Sequence, residues 1–163
     1  MYTYYIGVGS NIGDRYGYLQ AAVTGLVRHP DIYRVHRSSW YDTPPWGNVH
    51  QERFLNGVIK VSTSLQPEVM LDYLHTLEQE AGRTREIHWG PRTLDLDIVW
   101  AEKMEELLHV STPLTWHTDT LQVPHPYFWD RLFVLEPLAE LYPQLAYNGV
   151  NIYERIRQLK TDN

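Results

Sequence analysis

The sequence contains no cysteine. Disulfides, thiolate metal sites and a cysteine nucleophile are thereby excluded. Long apolar runs are missing too, since none approaches the roughly 20 residues that a membrane-spanning helix needs. Basic residues are in the minority, 14 Lys and Arg against 20 Asp and Glu, for a net charge of −6. That balance lacks the positive field on which sequence-independent binding to nucleic acid or an anionic membrane depends. Met1 to Tyr5 carry no basic segment and lead straight into a strand pattern, so no secretory leader is expected. The expectation is a cytoplasmic protein with no nucleic-acid or membrane partner. None of the 8 histidines has the H-E-x-x-H spacing, which argues against a zinc hydrolase.

What is present suits a single globular domain over 1–163: 43% hydrophobic and 21% charged residues, with no repeat or linker. The 6 Trp and 12 Tyr are numerous enough to serve both a core and a stacking site. Tyr4, Ile6 and Val8 alternate as a first strand, and Leu19, Ala22, Val23 and Leu26 form the stripe of a helix. Tyr33 to Tyr41 and Phe54 to Thr63 read as strands two and three. Pro67 opens a second helix with a stripe from Met70 to Ala81, and Leu94 to Trp100 reads as a fourth strand. The order β-α-β-β-α-β predicts an α+β fold with a ferredoxin-like, mainly antiparallel sheet and helices on one face. A C-terminal accessory region follows. It is expected to be irregular from Ala101 to Gln122, with short helices over Trp129 to Leu141 and Ile152 to Leu159.

The segment Gly82 to Ile98 carries the densest chemistry. Residues two apart on a strand share a face, so Asp95 and Asp97 point together while Leu94, Leu96 and Ile98 face the core. Paired carboxylates repel unless a cation lies between them, and magnesium suits such a pair because it also takes water and phosphate oxygens. An isolated Asp-x-Asp can equally face solvent at a strand end. Here Arg83, Arg85 and Arg92 flank it on a loop with Gly82, Gly90 and Pro91. Their planar forks match polyphosphate oxygens, which tips the segment towards phosphate transfer.

Two further clusters stand out. Val123-Pro124-His125 precedes Arg131 and Phe133. Thr43-Pro44-Pro45-Trp46-Gly47 precedes Phe54 and Asn56, which share one strand face. An aromatic ring beside an amide suits a flat heterocycle with an amide-like edge, although a core ring and a turn-capping asparagine would read the same way. Gly7-Val8-Gly9-Ser10-Asn11-Ile12-Gly13 misses the dinucleotide-binding spacing and reads as a tight strand-to-loop transition bordering the ligand site.

Taken in order, these motifs resemble the 6-hydroxymethyl-7,8-dihydropterin pyrophosphokinase family, from Tyr4 to about Leu141. The similarity rests on Gly9-Ser10-Asn11, Thr43-Pro44-Pro45, Phe54-Leu55-Asn56, Gly82-Arg83-Thr84-Arg85, Trp89 through Ile98, Pro124-His125, Arg131 through Leu135, and Pro137-Leu138. The resemblance implies diphosphate transfer from ATP to the pterin alcohol in folate biosynthesis, by a monomer. Asp95 and Asp97 would hold two magnesium ions, and Arg83 and Arg92, assisted by Arg85, would contact the ATP phosphates. It further implies His125 and Arg131 along the phosphate chain, with Glu78 and Ile98 on the nucleotide side. Phe54 and Phe133 would sandwich the pterin, with Asn56 and the backbone near Thr43, Pro44, Pro45 and Trp46 reading its edge. Trp89 and Arg92 would ride on a loop that closes over both substrates.

The chain departs from the family pattern at His88 and Tyr127, where arginine is common, and in a longer stretch from Trp100 to Gln122. Two rivals share parts of the signal. Nucleotide-sugar glycosyltransferases also use Asp-x-Asp but need a larger nucleotide domain. RNA-binding ferredoxin-like sheets display strand aromatics, but with a basic surface that this chain lacks.

Overall fold

In the computed structural model, which describes residues 1–44, 53–82 and 93–162, the first strand, β1 (Tyr2–Ser10), lies at the centre of the main sheet. Its even residues Tyr4, Ile6 and Val8 enter one core, while Tyr5 enters a second core on the opposite face. The helix α1 (Arg15–Arg28) starts where the Asp14 carboxylate accepts the Gly17 N–H at 3.0 Å. Then come β2 (Ile32–Arg37), β3 (Tyr41–Thr43), β4 (Phe54–Thr63), α2 (Pro67–Glu80), β5 (Asp95–Glu105) and β6 (Val110–Pro113). The sheet order is β2-β4-β1-β5-β6 with β3 beside β4, and every pairing is antiparallel. That is the ferredoxin-like arrangement expected from β-α-β-β-α-β.

Two expectations are corrected. The second strand is not continuous from Tyr33 to Tyr41. It ends at Arg37 and resumes at Tyr41, because Ser38 uses its hydroxyl, as well as its own N–H, to bond the backbone of Val58. Trp40 then lies over Gly57, where a Cβ would come within 2.3 Å of the indole. The stretch after Trp100 is not irregular throughout. β5 runs on to Glu105 and folds back as β6 through a turn in which His109 has a φ of 52°. Buried Glu102 ties this hairpin down by accepting from Trp100 Nε1 at 3.0 Å, Ser111 Oγ at 2.9 Å and the Tyr142 hydroxyl at 2.7 Å. Burial and that carboxylate push the Tyr142 hydroxyl pKa up to about 12.

The core helices α1 and α2 cover one face, as expected, and the two helices of the C-terminal accessory region cover the other. After β7 (Trp116–His117), β8 (Gln122–Val123) and a 3₁₀ turn (Phe128–Asp130) come α3 (Leu132–Leu141), β9 (Ala146–Tyr147), β10 (Val150–Asn151) and α4 (Ile152–Thr161). Leu135, Leu138, Ile152 and Ile156 of these two helices close the second core over Tyr5, Val58, Val99 and Trp100. Among the described residues no helix is long and apolar enough to cross a membrane.

Glu68, in the first turn of α2, holds the β7–β8 ribbon in place. Its carboxylate accepts from Thr118 Oγ1 at 2.6 Å, Thr120 Oγ1 at 2.8 Å and Trp116 Nε1 at 3.2 Å. These bonds, led by that from Thr118, hold the Glu68 carboxyl below its ordinary range. A carboxyl lowered by folding stabilises above its unfolded pKa of about 4.3, and that contribution is lost as pH falls through the folded value. Hydrogen exchange at the Thr118 and Leu121 amides should therefore speed up severalfold in Glu68→Ala at neutral pH. In the unsubstituted protein the same change should appear only at acid pH, and unchanged exchange in the variant would remove Glu68 from this role.

Candidate active site

The alternation of β5 sorts its side chains: Leu96 and Ile98 go into the first core, and Asp95 and Asp97 onto the opposite face. Antiparallel register then sets Gly9 beside Asp95 and Gly7 beside Asp97. One strand further, Asn56 of β4 stands beside Gly9 and Val58 beside Gly7. The row Asp95–Gly9–Asn56 thus crosses the sheet with no side chain at its middle position. At about 4.8 Å per strand, the acidic and amide residues are roughly 10 Å apart.

A cleft opens over this row. Gly7 and Gly9 form its floor, Asp95, Asp97 and Val99 one wall, and Thr43, Pro44, Phe54 and Asn56 the other. His125, Arg131, Phe133 and Val134 cover it from the second helical layer. Asn56 donates from Nδ2 to Thr43 Oγ1 at 2.6 Å, which turns its Oδ1 over the floor. A Cβ at Gly9 would lie 2.8 Å from that oxygen, so the amide orientation depends on glycine here.

A β-bulge positions the histidine. The register between β1 and β5 shifts between Tyr5 and Ile6, leaving Val99 outside the ladder. The Val99 carbonyl instead accepts the backbone N–H of His125 at 3.0 Å. His125 Nδ1 accepts the Tyr127 N–H at 3.2 Å, so the neutral ring carries its proton on Nε2. Burial, then the positive charge of Arg131, lower the His125 pKa, against a smaller opposite pull from Asp95. The imidazole is therefore a neutral N–H donor at neutral pH. Arg131 lies over the rings of Tyr127 and Phe133, at 5.4 and 5.7 Å from their centres.

The cleft brings together Thr43, Pro44, Phe54, Asn56, Asp95, Asp97, His125, Arg131 and Phe133. Glu78 and Ile98 sit on the other face of the sheet, where Glu78 Oε2 accepts the Leu96 N–H at 2.9 Å and Ile98 is core. Pro45, Trp46, Arg83, Arg85, His88, Trp89 and Arg92 lie outside the described residues. Sequence reasoning set the Gly7–Gly13 segment at the border of the ligand site, and the cleft includes Gly7 and Gly9. It did not foresee them as the floor, although the Gly-x-Gly of β1 is in phase with the Asp-x-Asp of β5. It also missed Val99 and Val134, which nothing in the sequence separates from other core valines.

Among the described residues no group of three or more His, Asp or Glu could hold an ion by itself. Two carboxylates on one strand face, one half-buried and one exposed, instead fit a hard cation that completes its shell with water and phosphate oxygens. Magnesium is that kind of ion.

Fold and cleft define a class: a ferredoxin-like α+β protein in which one cleft sets two carboxylates across a glycine floor from an aromatic–amide wall. The family model described as 7,8-dihydro-6-hydroxymethylpterin-pyrophosphokinase matches residues 5–143, and the chain belongs to that family. A 2-amino-4-hydroxy-6-hydroxymethyldihydropteridine pyrophosphokinase of Bacillus subtilis is 45% identical over 141 residues, 86% of this chain and 78% of that one. Another, from Methylorubrum extorquens, is 39% identical over 95% of this chain and 92% of its own length. The bifunctional protein FolKE of Lactococcus lactis is 40% identical over 97% of this chain, which spans only 41% of that protein's length. A solved structure of HPPK-DHPS in complex with substrates superposes with a TM-score of 0.60 at 11% identity, over 99% of this chain and 44% of that one. At that identity the superposition speaks for the fold alone.

Gly9→Ala should leave overall stability nearly unchanged, because the added methyl meets only the end of the Asn56 side chain over an open cleft. It should nevertheless break the Asn56–Thr43 hydrogen bond, seen by NMR as a shift of the Asn56 side-chain amide. An unmoved Asn56 resonance would show that the floor tolerates a methyl group.

Proposed function

We infer that this chain carries out the pyrophosphoryl transfer of its family, from ATP to the hydroxymethyl group of 6-hydroxymethyl-7,8-dihydropterin in folate biosynthesis. The observation that carries the reading is the single cleft joining Asp95 and Asp97 to Phe54 and Asn56 across a bare glycine floor. A flat acceptor held at the amide end would extend its hydroxyl towards phosphates held at the acidic end. The acceptor oxygen bonds to the β-phosphorus, the bond from that phosphorus to the α–β bridging oxygen breaks, and AMP leaves. The hydroxyl proton goes to solvent.

Each residue's part follows from its chemistry. Asp95 and Asp97 would hold two magnesium ions. Bound there, magnesium supplies charge neutralisation to the triphosphate. His125 would donate its Nε2 proton to a phosphate oxygen, beside the fixed charge of Arg131. Arg83 and Arg92, helped by Arg85, would steady the charge that develops on transfer. Phe54 and Phe133 would take the ring between them. Asn56, with Thr43, Pro44, Pro45 and Trp46, would read its edge. Ile98 would serve the nucleotide side through its backbone and Glu78 by fixing β5 through the Leu96 N–H, since both side chains lie on the other face. Trp89 would help shut out water. We further propose that residues 1–163 act as one domain, as a monomer in the cytoplasm, without nucleic acid.

The test is a product assay with ATP, magnesium and the pterin alcohol. Pterin-dependent AMP together with the pterin diphosphate is expected, and ADP instead would mean γ-phosphoryl transfer and a misread site. Asp97→Ala should lose turnover by at least about a thousandfold, since removing a metal ligand withdraws several kcal/mol of transition-state stabilisation. Arg92→Ala should lose roughly a hundredfold or more, as for one electrostatic donor. Chelation of magnesium should stop both the reaction and the binding of ATP. Full activity of Asp97→Ala would sink the metal assignment.

A further inference from the structure

The row across the sheet does not stop at Asn56. Tyr41 of β3 pairs with Asn56, so their side chains rise on the same face. Thr43, two residues on, shares that face and accepts the Asn56 amide. β3 is only three residues long and pairs with β4 alone, so little in the sheet limits how far it leans towards the helical layer. Opposite stands α3, whose first turn brings Phe133 and Val134 to the cleft. The two walls are therefore a short edge strand and the start of a helix.

One side chain joins them. Glu140, in the last turn of α3, accepts the Tyr41 hydroxyl through Oε1 and the Ser39 N–H through Oε2 at 2.8 Å. Tyr41 opens β3 and Ser39 lies two residues before it, so both donors hold the start of that strand. Burial opposes charge on Glu140, but the bonds from Tyr41 and Ser39, with Arg37 nearby, bring its carboxyl below the ordinary range. Burial, and then the hydrogen bond to Glu140, raise the Tyr41 pKa, so the phenol keeps its proton to donate. Glu140 is nevertheless exposed, and exposed charged pairs add little to overall stability. What the contact contributes is geometry. Glu140 lies seven residues from Phe133 along α3, about 10 Å at 1.5 Å per residue, so it reaches the cleft only through the walls it joins.

We propose that Glu140 is a positioning residue for recognition of the acceptor: by latching Ser39 and Tyr41 to α3, it sets the gap between the Thr43–Asn56 wall and Phe133. This rests on the reading that the cleft takes the pterin. The acidic end of the cleft is built on β5, to which the latch makes no connection. Its loss should accordingly weaken acceptor binding and leave nucleotide binding intact, whereas a merely structural residue would affect both ligands or neither.

The experiment is calorimetric titration of the whole chain, unsubstituted and as Tyr41→Phe, Glu140→Ala and the double variant. 6-Hydroxymethyl-7,8-dihydropterin is titrated with magnesium and a non-hydrolysable ATP analogue present, and the analogue is titrated separately. Each single variant should raise the pterin Kd roughly fivefold to thirtyfold, the factor that about one or two kcal/mol of lost positioning corresponds to. The double variant should be little worse than Glu140→Ala, because both changes remove one shared contact. The analogue Kd should stay within about twofold. Glu140→Gln, with one acceptor oxygen for two donors, should fall between. Tyr41→Phe keeps the test decisive if Glu140→Ala folds poorly, since it removes only a hydroxyl. Unchanged pterin affinity in Tyr41→Phe, or equal losses for both ligands, would overturn the proposal. Failure of the unsubstituted chain to bind the pterin would instead overturn the functional reading, and the two failures appear in different arms.

Discussion

The antiparallel register of β1 between β4 and β5 is the constraint on which the rest of the molecule depends. It places Asp95, Gly9, Asn56 and Tyr41 in one transverse row and Asp97, Gly7 and Val58 in the next. A slip of one residue in β5 would turn both carboxylates into the first core and send Leu96 and Ile98 into the cleft. Burying two unpaired carboxylates beside Leu19, Leu74 and Leu77 is prohibitive, so the same packing that stabilises the sheet also aims the acidic pair. Stability and site geometry come from one interaction.

The two faces of the sheet divide the work. The face under α1 and α2 is a closed core, with Tyr4, Ile6, Leu19, Met70 and Leu74 fully buried. The face under α3 and α4 is packed at one end, around Leu135, Leu138 and Ile152, and opens at the other into the cleft. α3 therefore has two duties: it buries one stripe against β4 and carries Phe133 to the cleft. The Val99 bulge adds the last component by releasing a carbonyl from the ladder to hold His125 near the acidic pair.

Much of this was legible along the chain. The β-α-β-β-α-β order, the common face of Asp95 and Asp97, and the pairing of Phe54 with Asn56 all follow from local periodicity, because a strand's side-chain alternation is a property of the backbone itself. Motif order was enough to indicate the family. The broken second strand was not legible, since the Ser38 hydroxyl finds its partner in Val58, 20 residues away. The β5–β6 hairpin was hidden by its polar composition, which becomes a strand signal only once Glu102 has met Trp100, Ser111 and Tyr142.

The sequence by itself determined which residue types were available, their alternation on each strand and the sheet order these imply. Only the tertiary structure decided that the acidic pair and the Phe54–Asn56 pair, about 40 positions apart in the chain, belong to one cleft. It also decided that Gly7 and Gly9 are a floor, that helices close both faces, and that Glu140 ties the edge strand to α3. The reason is physical: local preference acts over a few residues, whereas cross-strand register and side-chain reach connect segments that only packing brings within hydrogen-bond distance.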